Sequence, residues 1–178
     1  ASRARDAVLA AANTSGYQPD DFATTLLLVV VSRRGVAALQ IGDGGIVVVG
    51  SDGEMRALSR PSRGEFAGET CFLTGPEWLN HLHRVIELAA TAPDYVALLT
   101  DGLERVAMNL ADNTPHRPFF LPLLRFAARG CNVDESSATL ADFLQCGAFA
   151  GRTDDDLTLV LVARTAEAGQ LELDIAAA

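Results

Sequence analysis

The chain has 178 residues, 49% hydrophobic and 21% charged, with a formal net charge of −9. That balance suits a globular domain and not a disordered segment, and the length allows a substantial core. The acidic charge argues against nucleic-acid or anionic-membrane partners, which need basic faces, and no apolar run approaches the ~20 residues of a membrane span.

Residues 1–13, ASRARDAVLAAAN, place Val8, Leu9 and Ala12 at helical spacing with no capping residue before them. A helix that starts uncapped is expected to be the end of a longer one. After the loop TSGYQPDD come four β-forming runs, FATTLLLVVV, VAALQI, IVVVG and EMRALS. They are separated by SRRG, GDGG and SDG, turn sequences with Gly where a positive φ is needed. This spacing predicts a four-stranded antiparallel meander, and the lack of alternation in its first three runs predicts cover on both faces.

RPSRGEFAGETC reads as a loop and FLT as a short extended piece. GPEWLNHLHRVIELAATA, residues 75–92, predicts an amphipathic helix with Pro76 in its first turn and Trp78, Leu82, Val85, Ile86 and Leu88 on its apolar face. DYVALLTDG predicts a buried strand ending at Asp101-Gly102. A short helix (about 103–110), a Pro-rich loop and two helices (about 119–129 and 134–145) follow. The chain returns through CGAFAGRTDDD into a last strand, LTLVLVAR. Strands and helices are segregated, which is an α+β arrangement: one domain over residues 1–165 and a tail over 166–178. Cys71, Cys131 and Cys146 are far apart, without CxxC pairing, and are expected to be buried free thiols. With no secretory signal pattern at residue 1, a cytoplasmic location is expected.

The chemistry concentrates where strands end. One predicted strand stops at Asp101, and Asp154-Asp155-Asp156 stands at the mouth of the last. If these strands are antiparallel neighbours, Asp101 lies beside the triplet. Clustered carboxylates repel one another unless a cation offsets them, and their oxygens suit Mg²⁺ or Mn²⁺. A plainer reading stands level with this one: Asp-Gly is a common turn, and an acidic run before a strand is often a solvated gatekeeper.

In order, ATTLLLVVV, ALQIGDGGIVVV, VALLTDGLE and DDDLTLVLV resemble the C-terminal two-thirds of the protein phosphatase 2C family, the metal-dependent Ser/Thr phosphatases. RGEFAGETCFLT is similar to a segment of a bacterial branch. The resemblance implies two stacked antiparallel β-sheets flanked by helices, an α-β-β-α sandwich here lacking its N-terminal portion. It implies a binuclear Mg²⁺ or Mn²⁺ site at one end that activates water to hydrolyse phosphoprotein substrates without a phospho-enzyme.

Residue by residue, it implies Asp101 and Asp155 as metal ligands. Gly102 permits the turn, Asp156 occupies the family's Asn position, and Asp43 fixes a turn near the site. Asp154 is left as a solvated neighbour, and Thr24 and Thr25 as packing residues. Glu65, Glu69 and Thr70 belong to the branch segment without an assigned role. The family's bridging Asp, upstream acidic ligand and phosphate-binding Arg have no counterpart here. A third metal is not expected, because Ser59-Arg60-Pro61 carries no Asp and Arg105 stands at the partner position. The chain alone is therefore expected to be inactive, with self-association or a missing N-terminal segment covering its exposed edges. The alternative is a catalytically degenerate phosphatase-like binding or regulatory module.

Overall fold

The run Gly45–Val49 is apolar on both sides of its pleat, so both faces need cover. The computed structural model, which describes residues 1–58, 70–89, 91–129, 132–149, 153 and 155–164, supplies it. Helix α1 (Ser2–Ser15) is followed by strands β1 (Leu26–Ser32), β2 (Gly35–Ile41), β3 (Gly45–Val49) and β4 (Met55–Ala57). Strands β5 (His83–Leu88) and β6 (Tyr95–Leu99) precede helix α2 (Glu104–Ala107) and the small strands β7 (Met108–Asn109) and β8 (Thr114–Pro115). Helices α3 (Arg117–Arg129) and α4 (Val133–Gln145) lead to strand β9 (Leu159–Ala163).

The large sheets run β1-β2-β5 and β4-β3-β6-β9, antiparallel throughout. Between them, Val36 and Ala38 of β2 pack with Ile46 and Val48 of β3 and Val96 of β6. On the second sheet's other face, Val47, Val49, Tyr95, Ala97, Leu99 and Leu159 share a core with Phe120, Leu123 and Leu124 of α3. Leu140 and Leu144 of α4 pack against that cluster. The result is an α+β sandwich of two antiparallel sheets with helices outside it. α1 has no side-chain cap and lays Arg5 over the Trp78 ring, 5.9 Å from its centre.

Three expectations are corrected. The described residues of 75–92 do not form a helix: the chain turns over 73–81 and then runs as β5, paired with β2 from Gly35↔Leu88 to Gln40↔His83. Strand β2 lies between two neighbours, and the ladder that β5 provides outweighs a local helical pattern. Ile86 and Leu88, expected on a buried helical face, are 76% and 84% exposed. The predicted helix at 103–110 likewise contracts to α2, after which Met108–Asn109 pairs with Thr114–Pro115.

The meander is also broken. β1–β2 and β3–β4 pair as expected, but β2 and β3 do not pair with each other, and the chain crosses between sheets at Gly42-Asp43-Gly44. β3 is buried throughout, whereas Leu28, Val30 and Val31 of β1 are exposed. An Arg56–Glu87 ion pair joins edge strands β4 and β5 of the two sheets. At the β1–β2 turn, Gly35 (φ +134) lies so close to the Glu87 carbonyl that a Cβ would sit 2.0 Å from it.

Exposure distinguishes the strand from the expected helix experimentally. Ile46 is 0% exposed, so Ile46→Ala should cost about 2–4 kcal/mol and lower the melting temperature by about 5 °C or more. Ile86→Ala should change stability by less than about 0.5 kcal/mol. Thermal unfolding of the two variants checks both values.

Candidate metal centre

β6 and β9 run antiparallel from Tyr95↔Ala163 to Leu99↔Leu159. Beyond the last pair the Thr100 N–H donates to the Thr158 carbonyl at 3.1 Å. Asp101, which opens a 3-10 turn over Asp101–Leu103, therefore stands at the same end of the sheet as Asp155 and Asp156. Gly102 lets the two segments close on each other. A Cβ there would meet the Asp156 carbonyl oxygen at 2.7 Å and Leu157 Cδ2 at 3.0 Å.

The Asp155 carboxylate lies close enough for its charge to act on Asp101. Burial, then the charges of Asp43 and Asp155, push the Asp101 carboxyl above the usual carboxylate range. The Gly102 N–H, donating to Asp101 Oδ1 at 2.9 Å, opposes that rise. No cation among the described residues contributes to this balance. Asp155 Oδ1 accepts from the Asp156 N–H at 2.8 Å, and the Asp155 N–H donates to Thr153 Oγ1 at 3.2 Å. Asp101, Asp155 and Asp156 are exposed as whole residues, so the burial felt by the Asp101 carboxyl is partial.

Asp43 sits in the crossing between the sheets. Gly42 there has φ +102, and a Cβ on it would meet Thr25 Cγ2 at 2.3 Å, so Thr25 packs the turn. The buried Gln40 donates through Nε2 to the carbonyls of Gly42 (3.0 Å) and Gly44 (2.7 Å). Thr70 Oγ1 donates to Asp43 Oδ2 at 2.5 Å. Asp43 lies in the crossing turn, and its charge acts on Asp101. Thr24 accepts the Leu73 N–H on its carbonyl at 2.7 Å, a structural contact. Asp154, Glu65, Glu69 and Ser59-Arg60-Pro61 lie outside the described residues, and Arg105 is exposed on α2.

Sequence reading missed Gln40, Thr100 and the contact between Thr70 and Asp43. Thr100 was visible as the first letter of TDG; the other two contacts depend on the crossing between sheets. Among the described residues, no group of three or more His, Cys, Asp or Glu side chains is placed to hold a metal ion. The convergence is thus a pair, Asp101 and Asp155, with Asp43 engaged by Thr70.

Residues 1–145 match the family described as protein phosphatase 2C. The chain belongs to the protein phosphatase 2C family. It is 37% identical over 159 residues to serine/threonine-protein phosphatase 3 of Escherichia coli (strain K12), covering 88% of this chain and 62% of that relative. The chain thus spans about three fifths of the relative's length. Among solved structures it is similar to the serine/threonine phosphatase Stp1 from Staphylococcus aureus. The TM-score is 0.53 with 14% identity, covering 91% of this chain and 65% of that one, a likeness of fold.

The pair at the sheet end suits the hard divalent cations on which phosphatases of this family depend. Its donors are all carboxylate oxygen, open to solvent so that an ion keeps its waters, and no cation among the described residues offsets Asp101. The close approach at Gly102 gives a test of this geometry. Gly102→Ala forces a methyl group against the Asp156 backbone and should cost about 1–3 kcal/mol. The melting temperature should then fall by roughly 2–10 °C, with lost protection of the Thr100 amide in hydrogen exchange.

Proposed function

We propose that the protein carrying this chain is a phosphoprotein Ser/Thr phosphatase dependent on Mg²⁺ or Mn²⁺, with Asp101 and Asp155 as metal ligands. The observation that carries this reading is the pairing of those two carboxylates at adjacent strand ends. The identity to a serine/threonine-protein phosphatase supports the substrate class. Asp101 and Asp155 would hold the ion, Gly102 and Thr100 fix the approach of their segments, and Asp43 adds negative charge. A bound divalent ion supplies Lewis acidity and lowers the pKa of a coordinated water. The carboxylates also dictate order of binding, because a phosphomonoester dianion is repelled from this end of the sheet until divalent cations have offset their charge. Two such ions would serve the complete protein.

A second reading, a regulatory or binding module without turnover, is favoured by one observation. The described residues offer a carboxylate pair and no larger ligand group. Such a pair holds a single ion through waters. For this chain alone we therefore expect weak ion binding and little or no turnover. The exposed Leu28, Val30, Ile86 and Leu88 support covering of the first sheet by a second copy or by further polypeptide. Cys71 and Cys146 are free thiols, half-buried and exposed respectively and not buried as expected, with Cys131 outside the described residues. Free thiols fit a cytoplasmic location, and no helix among the described residues is long and apolar enough to cross a membrane.

Hydrolysis of p-nitrophenyl phosphate with Mn²⁺ tests the assignment. The full-length gene product should be active, and Asp101→Ala or Asp155→Ala should each lower its turnover by at least about 100-fold, the upper end of what loss of a group behind a metal ligand costs. Activity that survives either change removes that residue from the site. Robust turnover by the 178-residue chain would overturn the expectation that it is inactive alone. Light scattering after size exclusion should find the isolated chain self-associated, and Ile86→Ser with Leu88→Ser should shift it toward monomer.

A further inference from the structure

We infer that Thr100 is a positioning residue, whose hydroxyl sets the separation of Asp101 and Asp155; the inference rests on reading those two aspartates as metal ligands. The β6–β9 ladder proper ends at Leu99↔Leu159. Past it, the Thr100 hydroxyl replaces the next rung. Thr100 Oγ1 donates to the Asp156 carbonyl at 3.2 Å and accepts the Thr158 N–H at 3.0 Å, while the Thr100 N–H donates to the Thr158 carbonyl at 3.1 Å. One side-chain oxygen thereby spans two backbone groups of the opposing segment, and Thr100 bonds to that segment three times.

Both proposed ligands adjoin this clamp. Asp101 follows Thr100 directly, and Asp155 precedes the carbonyl that the hydroxyl holds. The same carbonyl oxygen lies over Gly102, where a Cβ would be 2.7 Å from it. Movement of residues 156–158 away from Thr100 therefore moves Asp155 away from Asp101. β-Branching limits Thr100 to few χ1 rotamers, so its oxygen is held in place at small entropic cost. The clamp is open to water, and solvent can satisfy both backbone groups if the hydroxyl is lost. Fold and ion affinity should consequently respond to different degrees, and that separates positioning from mere stabilisation.

The experiment is Mn²⁺ titration of the 178-residue chain, reading free ion by electron paramagnetic resonance, for wild type, Thr100→Val, Thr100→Ser and Asp101→Asn. Thr100→Val keeps the shape and removes the hydroxyl. It should raise the Kd for Mn²⁺ about tenfold or more, the usual effect of losing a group behind a metal ligand, with the melting temperature within about 3 °C of wild type. Thr100→Ser should restore affinity to within about threefold of wild type, and Asp101→Asn should abolish binding.

Wild-type affinity in Thr100→Val, with binding lost in Asp101→Asn, would overturn the inference alone. So would a Thr100→Ser variant as weak as Thr100→Val. An affinity loss accompanied by lost amide protection throughout β3 and β6 would make Thr100 a structural residue only. If Asp101→Asn binds like wild type, or wild type itself binds no Mn²⁺, the ligand reading falls and the inference falls with it.

Discussion

The antiparallel pairing of β6 with β9 is the interaction on which the site depends. Five consecutive pairs, Tyr95↔Ala163 to Leu99↔Leu159, fix where both strands end. Their register is set by the core. Tyr95, Ala97, Leu99 and Leu159 belong to the cluster shared with α3, and a one-residue slip of either strand would turn its set to the opposite face. The strand ends that carry Asp101 and Asp155 are thus placed by side chains of the core. Functional groups at the ends of such strands inherit the rigidity of the sheet, which a loop could not provide.

That rigidity has an electrostatic cost. Asp101 is brought to Asp155 and within range of Asp43, and its ionised form is disfavoured by burial and by both neighbours. Gln40, Thr70 and Thr100 keep the groups there despite the repulsion, through hydrogen bonds to the backbone and to Asp43 itself. Buried turn carbonyls such as those of Gly42 and Gly44 require donors, so the Gln40 amide maintains the fold while fixing the place of Asp43.

Legibility in the sequence followed how local each determinant is. The strands β6 and β9, helices α3 and α4, and the approach of TDG to DDD could be read because long apolar runs and their end residues carry the information. The stretch 75–92 could not, since Trp78, Leu82, Val85 and Ile86 satisfy helical spacing while β2 requires a partner strand. The GDGG sequence between β2 and β3 has hairpin chemistry, yet Gly42 folds against Thr25 and sends the chain into the other sheet. Thr100 lay inside a motif already singled out, but its partners are 56 and 58 residues away. Asp43 likewise meets Thr70 from 27 residues off. No local pattern encodes such contacts.

The charge balance at the sheet end bears on what the proposed site requires. Asp43, Asp101 and Asp155 together outweigh one divalent ion, so a site holding a single Mg²⁺ stays net negative and repels a phosphomonoester dianion. A second divalent ion reverses the sign, but two cations about 3.5–4 Å apart need an anion between them. The described residues supply a pair of carboxylates at this end and no larger ligand group. On the proposed reading, a pair of divalent ions at this end takes at least one anionic ligand beyond Asp101 and Asp155.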